Sequence, residues 1–162
     1  MQIRKATGGE MLALWGYREL RTASPTAKFF CSNINSGNAD FWTLDNDGEL
    51  IAELYVFREL ADKDFADGKN TAYLCAFRVK KDYRGQGYGS RLMGAVLAEL
   101  KESGLRHVTI GVGSDESRNI RLYRRLGFTP KIKDCHFDPC SMDENMLPRY
   151  EEAAWWLLRK TL

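Results

Sequence analysis

Hydrophobic and polar positions along the chain follow patterns that predict four helices. Met11, Leu12, Leu14 and Trp15 recur at helical spacing within the first of them. A second helix is predicted to be capped by Thr26, after Pro25 interrupts the chain, and to stop at Gly37. The four predicted helices are Glu10–Arg21, Thr26–Asn35, Gly89–Leu100 and Ser117–Leu126.

Short apolar runs between these helices predict strands. Asp45–Gly48 has the composition of a hairpin turn, because glycine supplies the positive φ that such turns need. Ala61–Asn70 and the stretch from Asp138 to Pro148 are predicted loops. The mixed order of strands and helices predicts an α/β or α+β fold with a mixed sheet. The predicted strands are Ile3–Ala6, Phe41–Leu44, Leu50–Arg58, Thr71–Val79, His107–Val112, Lys131–Phe137 and Ala153–Leu158.

Length and composition predict one domain covering residues 1–162, because a chain of 162 residues with 44% hydrophobic residues can bury one ordinary core. The 24 basic and 22 acidic side chains leave a net charge of +2, which is too small to predict a nucleic-acid partner. The sequence shows no signal peptide and no apolar stretch long enough to span a membrane. We therefore expect a cytoplasmic protein without a membrane partner.

The four cysteines predict free thiols in a protein without metal. A disulfide framework is not expected in a chain of this size without a signal peptide. Cys135, His136 and Cys140 have a faint resemblance to metal ligands, but structural zinc needs a second pair of ligands that the sequence lacks. Cys31 and Cys75 complete the set.

The segment with the clearest chemistry is a glycine turn between a predicted strand and a predicted helix. Gly85, Gly87 and Gly89 alternate, so the backbone can approach a ligand without obstruction by a Cβ atom. The helix that follows offers free N–H groups and the positive end of its dipole. Arg84 and Ser90 add a cation and a hydroxyl donor. This combination predicts a binding site for a pyrophosphate.

Two other phosphate-binding loops fit the turn less well. A P-loop requires a lysine after its last glycine, and none follows here. A dinucleotide-binding turn requires G-x-G-x-x-G, whereas this turn has G-x-G-x-G. The remaining alternative is a glycine-rich turn that binds no ligand.

The sequence resembles the GNAT superfamily of acyl-CoA N-acyltransferases. Arg84–Gly89 satisfies that family's [RQ]-x-x-G-x-[GA] signature, and Val79 supplies the hydrophobic residue five positions before the arginine. Leu122–Phe128 matches the second family motif, a Leu-Tyr followed by Gly-Phe. The order of predicted elements is similar to the family from Met1 to Leu162.

The resemblance implies a fold and a set of ligand-binding residues. It implies a mostly antiparallel central sheet of about seven strands, flanked by about four helices, in which the fourth and fifth strands splay apart. It also implies acetyl-CoA as cosubstrate, with its pyrophosphate held by the turn and its pantetheine arm pairing with backbone exposed by the splay. Family members often have an asparagine seven residues before the tyrosine, where it can contact the coenzyme. That position is Glu116 here, and we predict that Asn119 contacts the coenzyme instead. The implied coenzyme-binding residues are Phe77, Val79, Arg84, Gly85, Gln86, Gly87, Tyr88, Gly89, Ser90 and Asn119.

The resemblance further implies acetyl transfer to a primary amine by direct attack, with Tyr123 as the general acid for the leaving thiolate. The general base is harder to identify from the sequence. In several family members it is a glutamate on the fourth strand, but Thr71–Val79 contains no acidic residue and has Tyr73 near the corresponding position. Glu53 is our candidate base, since a buried carboxylate has a raised pKa. The alternative for Glu53 is a solvated sheet edge or a pair with Arg58. His136 is a third candidate.

The acceptor is not identified by the sequence. By family resemblance its pocket would come from Leu12–Asn38 and Asp138–Tyr150. Acidic residues near the second segment suit a cationic amine, although a solvated loop has the same composition. The apolar end Ala154–Leu158 is either a buried strand or part of a homodimer interface. A non-catalytic acyl-CoA sensor on the same fold is the alternative function, and Tyr123 favours the enzyme.

Overall fold

A computed structural model describes residues 1–162, which form seven strands and four helices around one sheet. Two short 3₁₀ turns lie at Leu20–Thr22 and Lys81–Tyr83. The helices are α1 (Gly8–Leu14), α2 (Pro25–Ser36), α3 (Tyr88–Glu102) and α4 (Ser117–Arg125). The strands are β1 (Gln2–Ala6), β2 (Ala39–Asn46), β3 (Glu49–Phe57), β4 (Thr71–Val79), β5 (His107–Gly113), β6 (Lys131–Met142) and β7 (Pro148–Thr161).

The sheet has the strand order β1-β2-β3-β4-β5-β7-β6, and only the β4–β5 pair is parallel. That pair is in register only from Thr71–Leu74 to His107–Ile110. Beyond these residues β4 has no partner on this side, while β5 continues along β7 as far as Gly113. The predicted seven-stranded, mostly antiparallel sheet and the predicted splay of the fourth and fifth strands are confirmed.

Apolar side chains fill both faces of the sheet, which explains why the strands contain long hydrophobic runs. One core packs α1 and α2 against the sheet and contains a cluster of aromatic rings around Phe30, Tyr55 and Phe57. The other core packs α3 and α4 on the opposite face and contains Leu92 and Phe128. The splay therefore opens between two separately packed layers, and a ligand can approach it from either face.

The first helix is shorter than predicted, because it ends at Leu14 and not at Arg21. Gly16 has a φ of 89°, a left-handed conformation that terminates helices. The N–H of Tyr17 then bonds back to the carbonyl of Leu12 at 2.8 Å, as in a helix C-cap. This early end releases Trp15 from the helix, and its indole reaches the sheet.

The N-cap of the second helix lies two residues earlier than predicted. Ser24, not Thr26, is its N-cap, because the Ser24 hydroxyl accepts a hydrogen bond from the N–H of Ala27 and Pro25 occupies the first turn. The Thr26 hydroxyl instead accepts from the N–H of Met142 at 3.0 Å, which ties α2 to β6. Gly37 ends the helix with a φ of 82°, as predicted.

The last two strands are much longer than predicted. Asp138–Met142 and Pro148 lie in the predicted loop, but they belong to β6 and β7, and only residues 143–147 connect the two strands. Three register irregularities interrupt the pairing and remove the regular alternation of apolar and polar residues. Asp138 therefore sits on a rigid strand within the fold.

A bulge in β4 marks the place where the strand leaves β5. The register between β3 and β4 shifts by one residue next to Ala76, which has a φ of 50°. A non-glycine residue in this conformation stores strain, and such positions concentrate at functional sites.

Candidate coenzyme and acetyl-transfer site

The glycine turn between β4 and α3 leaves backbone N–H groups unpaired at the N-terminus of α3. Gly85 and Gly87 have φ values of 75° and 84°, conformations that favour glycine. Gly87 is the N-cap of α3 and supplies no side-chain cap, and the first helical turn contains no acidic residue. The first N–H groups of α3 are thus free to bind an anion at the positive end of the helix.

Arg84 fastens the turn to the end of β4. Its Nε donates to the carbonyl oxygen of Val79 at 2.8 Å, while the residue itself stays exposed. The guanidinium is therefore held beside the turn and adds a positive charge where a pyrophosphate would lie.

A cavity of about 440 Å³ extends from the turn between α3 and α4. Nine of the ten predicted coenzyme-binding residues line it, and Gln86 does not. The Gln86 side chain instead lies at 3.4 Å from the carbonyl oxygen of Asp82. Those nine are Phe77, Val79, Arg84, Gly85, Gly87, Tyr88, Gly89, Ser90 and Asn119.

Arg118 also lines this cavity, and the sequence analysis missed it. It lies in the first turn of α4, one residue before Asn119. Its position on the cavity side of an amphipathic helix with several arginines could have been inferred from helical periodicity alone.

The α3 helix lies very close to β4 at Gly89. A Cβ atom on this residue would lie 3.1 Å from Cζ of Phe77 and 3.3 Å from a methyl carbon of Val79. Glycine here therefore allows the close contact between helix and strand that forms one wall of the cavity.

Backbone groups of β4 face the splay without a strand to pair with. The N–H of Lys80 donates to the carbonyl of Ile51 on β3. Every second residue of an antiparallel strand directs its backbone N–H and C=O to the same neighbour, so the backbone groups of Arg78 also face β3. Phe77 and Val79 consequently direct their backbone groups toward the splay, where the Val79 carbonyl already accepts from Arg84 Nε. Such groups accept an added extended chain, as the sequence analysis expects for a pantetheine arm.

Tyr123 lies on α4, on the α3 and α4 face of the sheet. It is only 8% exposed and packs against Phe128, with ring centroids 6.2 Å apart. Burial, with a smaller contribution from the charge of Glu116, raises the pKa of Tyr123 to about 12. The phenol therefore remains protonated throughout the neutral range and can donate a hydrogen bond.

Glu53 lies on the opposite face, where it is buried and paired. Its Oε1 accepts from the indole Nε1 of Trp15 at 3.0 Å and from Arg78 at 2.8 Å. The Arg78 guanidinium also covers the Trp15 ring at 5.3 Å. The alternative pairing with Arg58 is wrong, because Arg58 binds Asp40 at 2.6 Å. The role of Glu53 as general base stays a prediction.

The other two candidates for the base differ in their surroundings. Burial, followed by the charges of nearby groups such as Cys75, raises the pKa of Tyr73 well above its ordinary value, so Tyr73 stays neutral. His136 is exposed, and its ring stacks on Tyr150 at 5.6 Å on the outer strands, away from the splay. Neither environment suits a group that accepts a proton from an amine.

The four cysteines are free thiols. No group of three or more His, Cys, Asp or Glu side chains is arranged to hold a metal ion. None of the helices has both the length and the apolar character that crossing a membrane requires.

The sequence profile of the Acetyltransferase (GNAT) family matches residues 10–128, which include the glycine turn, α3, β5 and α4. The match covers well over half of the chain, so the chain belongs to this family. Acetyl-CoA is the acetyl donor that GNAT acetyltransferases use.

Among individual proteins, the chain is similar to a mycothiol acetyltransferase of Actinosynnema mirum, with 47% identity over 100 residues. This alignment covers 60% of the present chain and 33% of the relative. The chain spans about a third of the length of the mycothiol acetyltransferases that it matches.

Solved structures of low sequence identity share the fold over nearly the whole chain. A GNAT family acetyltransferase from Elizabethkingia anophelis with acetyl-CoA bound is 18% identical, with a TM-score of 0.64 and coverage of 99% and 97% of the two chains. The ribosomal-protein-S18-alanine N-acetyltransferase of Escherichia coli is 17% identical, with a TM-score of 0.70 and coverage of 99% and 92%.

Proposed function

We propose that residues 1–162 act as one catalytic domain that transfers an acetyl group from acetyl-CoA to a primary amine by direct attack. The observation that carries this proposal is the continuity of the site. The anion-binding turn, the cavity between α3 and α4, and the unpaired edge of β4 follow one another along a single path. A coenzyme with a pyrophosphate, an extended amide-containing arm and a terminal thioester matches that order of features.

In this proposal each part of the coenzyme has its own protein groups. The pyrophosphate binds the first N–H groups of α3, with Arg84 and Arg118 supplying positive charge. The pantetheine arm pairs with the backbone of Phe77 and Val79. The thioester then lies within the splay, where a backbone N–H near Val79 is our candidate donor to the carbonyl oxygen.

Tyr123 is proposed to protonate the departing thiolate. Direct attack forms a C–N bond and breaks the C–S bond, so the sulfur must gain a proton as the nitrogen loses protons. The raised pKa of Tyr123 keeps the donor form available. Solvent or the reacting nitrogen returns the proton to the tyrosine at the end of the cycle.

The acceptor is proposed to be the amine of a small molecule or a peptide. The E. coli structural neighbour is an alanine N-acetyltransferase of a ribosomal protein, and the sequence relatives are mycothiol acetyltransferases. Only the N-acetyltransferase name of the E. coli neighbour supports an amine acceptor, and the acceptors named for these proteins differ, so they do not select one.

A ligand panel tests the coenzyme assignment. Because a ligand that binds only the folded state raises the melting temperature by mass action, acetyl-CoA and CoA should raise it, while ATP and NAD should do so far less. Equal shifts with all four compounds would mean that the turn binds phosphates without selecting the coenzyme. Stabilisation by acetyl-CoA without thiol release in the presence of amines would instead identify the non-catalytic sensor.

A further inference from the structure

A carboxylate that the reaction outlined above does not use lies where the two strands diverge. Asp138 of β6 borders a cavity of about 480 Å³ whose wall includes Gly111–Gly113, the part of β5 beyond the splay. It also borders a second cavity of about 360 Å³ whose wall includes Cys75 and Ala76, the part of β4 beyond the splay. Asp138 is thus the acidic residue shared by the spaces on both sides of the opening.

The Asp138 carboxylate has no cationic partner. Its Oδ1 accepts from the N–H of Cys140 at 2.9 Å, and it forms no ion pair. Arg149 stands opposite on β7, but its Nε donates to the carbonyl oxygen of Met142 at 3.0 Å. Burial raises the pKa of Asp138 above its ordinary value, although backbone N–H groups of Cys140 and Ser141 oppose the shift. A half-buried carboxylate without a counter-charge favours an incoming cation or a proton.

The larger cavity is acidic throughout. Asp115, Glu116 and Glu151 line it together with Asp138, and no lysine, arginine or histidine does. The charge of Glu116 also reaches Tyr123, because it contributes to the raised pKa of that phenol. The cavity therefore borders the splay on one side and comes within electrostatic range of the proposed acid.

A mostly buried tyrosine without a hydrogen-bond partner faces this cavity and is a second, independent feature of the site. Tyr73 is 5% exposed, lines the same wall and makes no hydrogen bond. Its hydroxyl faces Gly111, where an added Cβ atom would lie only 3.2 Å away. The hydroxyl has no partner in the protein and opens into the cavity, so a ligand or water there can satisfy it.

We propose that the acidic cavity admits the protonated acceptor amine and that Asp138 receives the ammonium group and accepts its proton. The free amine then attacks the thioester carbon, forming the C–N bond as the C–S bond breaks. The nitrogen loses its second proton as the intermediate collapses, the sulfur gains one from Tyr123, and the second proton restores the Tyr123 hydroxyl directly or through solvent. Overall one proton is released to solvent. This inference rests on the proposed acetyl transfer.

Several titratable or charged groups surround Asp138 and bear on how the pH dependence of the reaction rate is interpreted. Tyr73 and Cys75 face it from β4, Cys140 from its own strand, and Glu151 from β7. Arg78 lines the smaller cavity and already binds Glu53 at 2.8 Å. Burial raises the pKa values of Tyr73 and Cys140 well above their ordinary range, so neither group titrates below neutrality.

Asp138→Asn, assayed with two amines of similar size, tests the inference. Ethylamine is protonated at neutral pH, whereas trifluoroethylamine is already a free base there. We expect kcat/KM for ethylamine to fall about 10²–10³-fold, while that for trifluoroethylamine stays within about tenfold of wild type. The acidic limb of the pH profile with ethylamine should also move, because the carboxylate that titrates there is gone.

Two control variants separate this role from others. Asp134→Asn removes an exposed carboxylate of the same strand that pairs with Lys131 at 3.3 Å, and it should leave both rates unchanged. Glu53→Gln tests the base predicted from sequence. Equal losses with both amines in Asp138→Asn, no loss, or an amine-selective loss in Glu53→Gln would overturn the role of Asp138. A wild-type protein that acetylates neither these amines nor any other would overturn the acetyl transfer itself.

Discussion

Tyr123→Phe is expected to lower kcat by about 10²–10⁴-fold without changing the affinity for CoA, because general acid catalysis contributes in that range. The substitution removes one hydroxyl and retains the ring that packs against Phe128. A thiolate that departs without a proton or a hydrogen bond carries an uncompensated charge, which raises the barrier to breaking the C–S bond. Steady-state kinetics on the best acceptor, with calorimetry of CoA binding, measures both quantities.

The pKa of about 12 places the expected loss toward the lower end of this range. A thiol has a pKa of about 8.5, so complete proton transfer from Tyr123 to the thiolate is uphill, and the phenol acts mainly by hydrogen-bonding the developing charge. Because the pKa is raised, Tyr123 should cause no alkaline loss of activity until the pH approaches 12. Wild-type kcat in Tyr123→Phe over a broad pH range would leave the residue with a packing role only.

Gly87→Val is expected to weaken CoA binding by about 10- to 100-fold. A β-branched residue at a φ of 84° costs about 1–3 kcal/mol, and a turn that relaxes to avoid this strain moves its N–H groups away from the pyrophosphate. Each 1.4 kcal/mol corresponds to about a tenfold change in the dissociation constant. Calorimetric titration with CoA measures the effect.

Gly48→Val provides a matched control for this variant. Gly48 has a φ of 96° and, like Gly87, no atom within 4 Å of an added Cβ, but it lies in the hairpin between β2 and β3. The control should lose comparable stability and retain its affinity for CoA. Equal affinities in the two variants would show that the phosphates bind elsewhere.

The coenzyme side of the site could be predicted from sequence because its chemistry is local. The glycine turn, the strand before it and the helix after it are consecutive in the chain, and backbone donors at a helix N-terminus need no distant partner. Phe77, Val79 and Asn119, which the sequence predicts to bind the coenzyme, also line this cavity. The boundaries of β4 are those predicted from its apolar run.

The acceptor side depends on contacts between distant segments, and sequence patterns do not report those contacts. Glu53 reads as a lone acid in an apolar strand, but Trp15 and Arg78 approach it from two other elements. The sequence around Asp138 is polar and contains Pro139, which is typical of a loop. Only the bulged pairing of β6 with β7 places Asp138 at the splay. Irregular strands lose the period-two pattern on which strand prediction depends.

Transfer of an isotope-labelled acetyl group from acetyl-CoA to a panel of primary amines tests the central claim most directly. Mass spectrometry should find the label on the amine nitrogen, with one free thiol released for each acetyl group transferred. The protein alone should carry no acetyl group after exposure to acetyl-CoA, because direct attack needs no covalent intermediate. Tight binding of acetyl-CoA with no labelled amine, or a stable acetyl group on the protein that the amine later removes, would contradict the account.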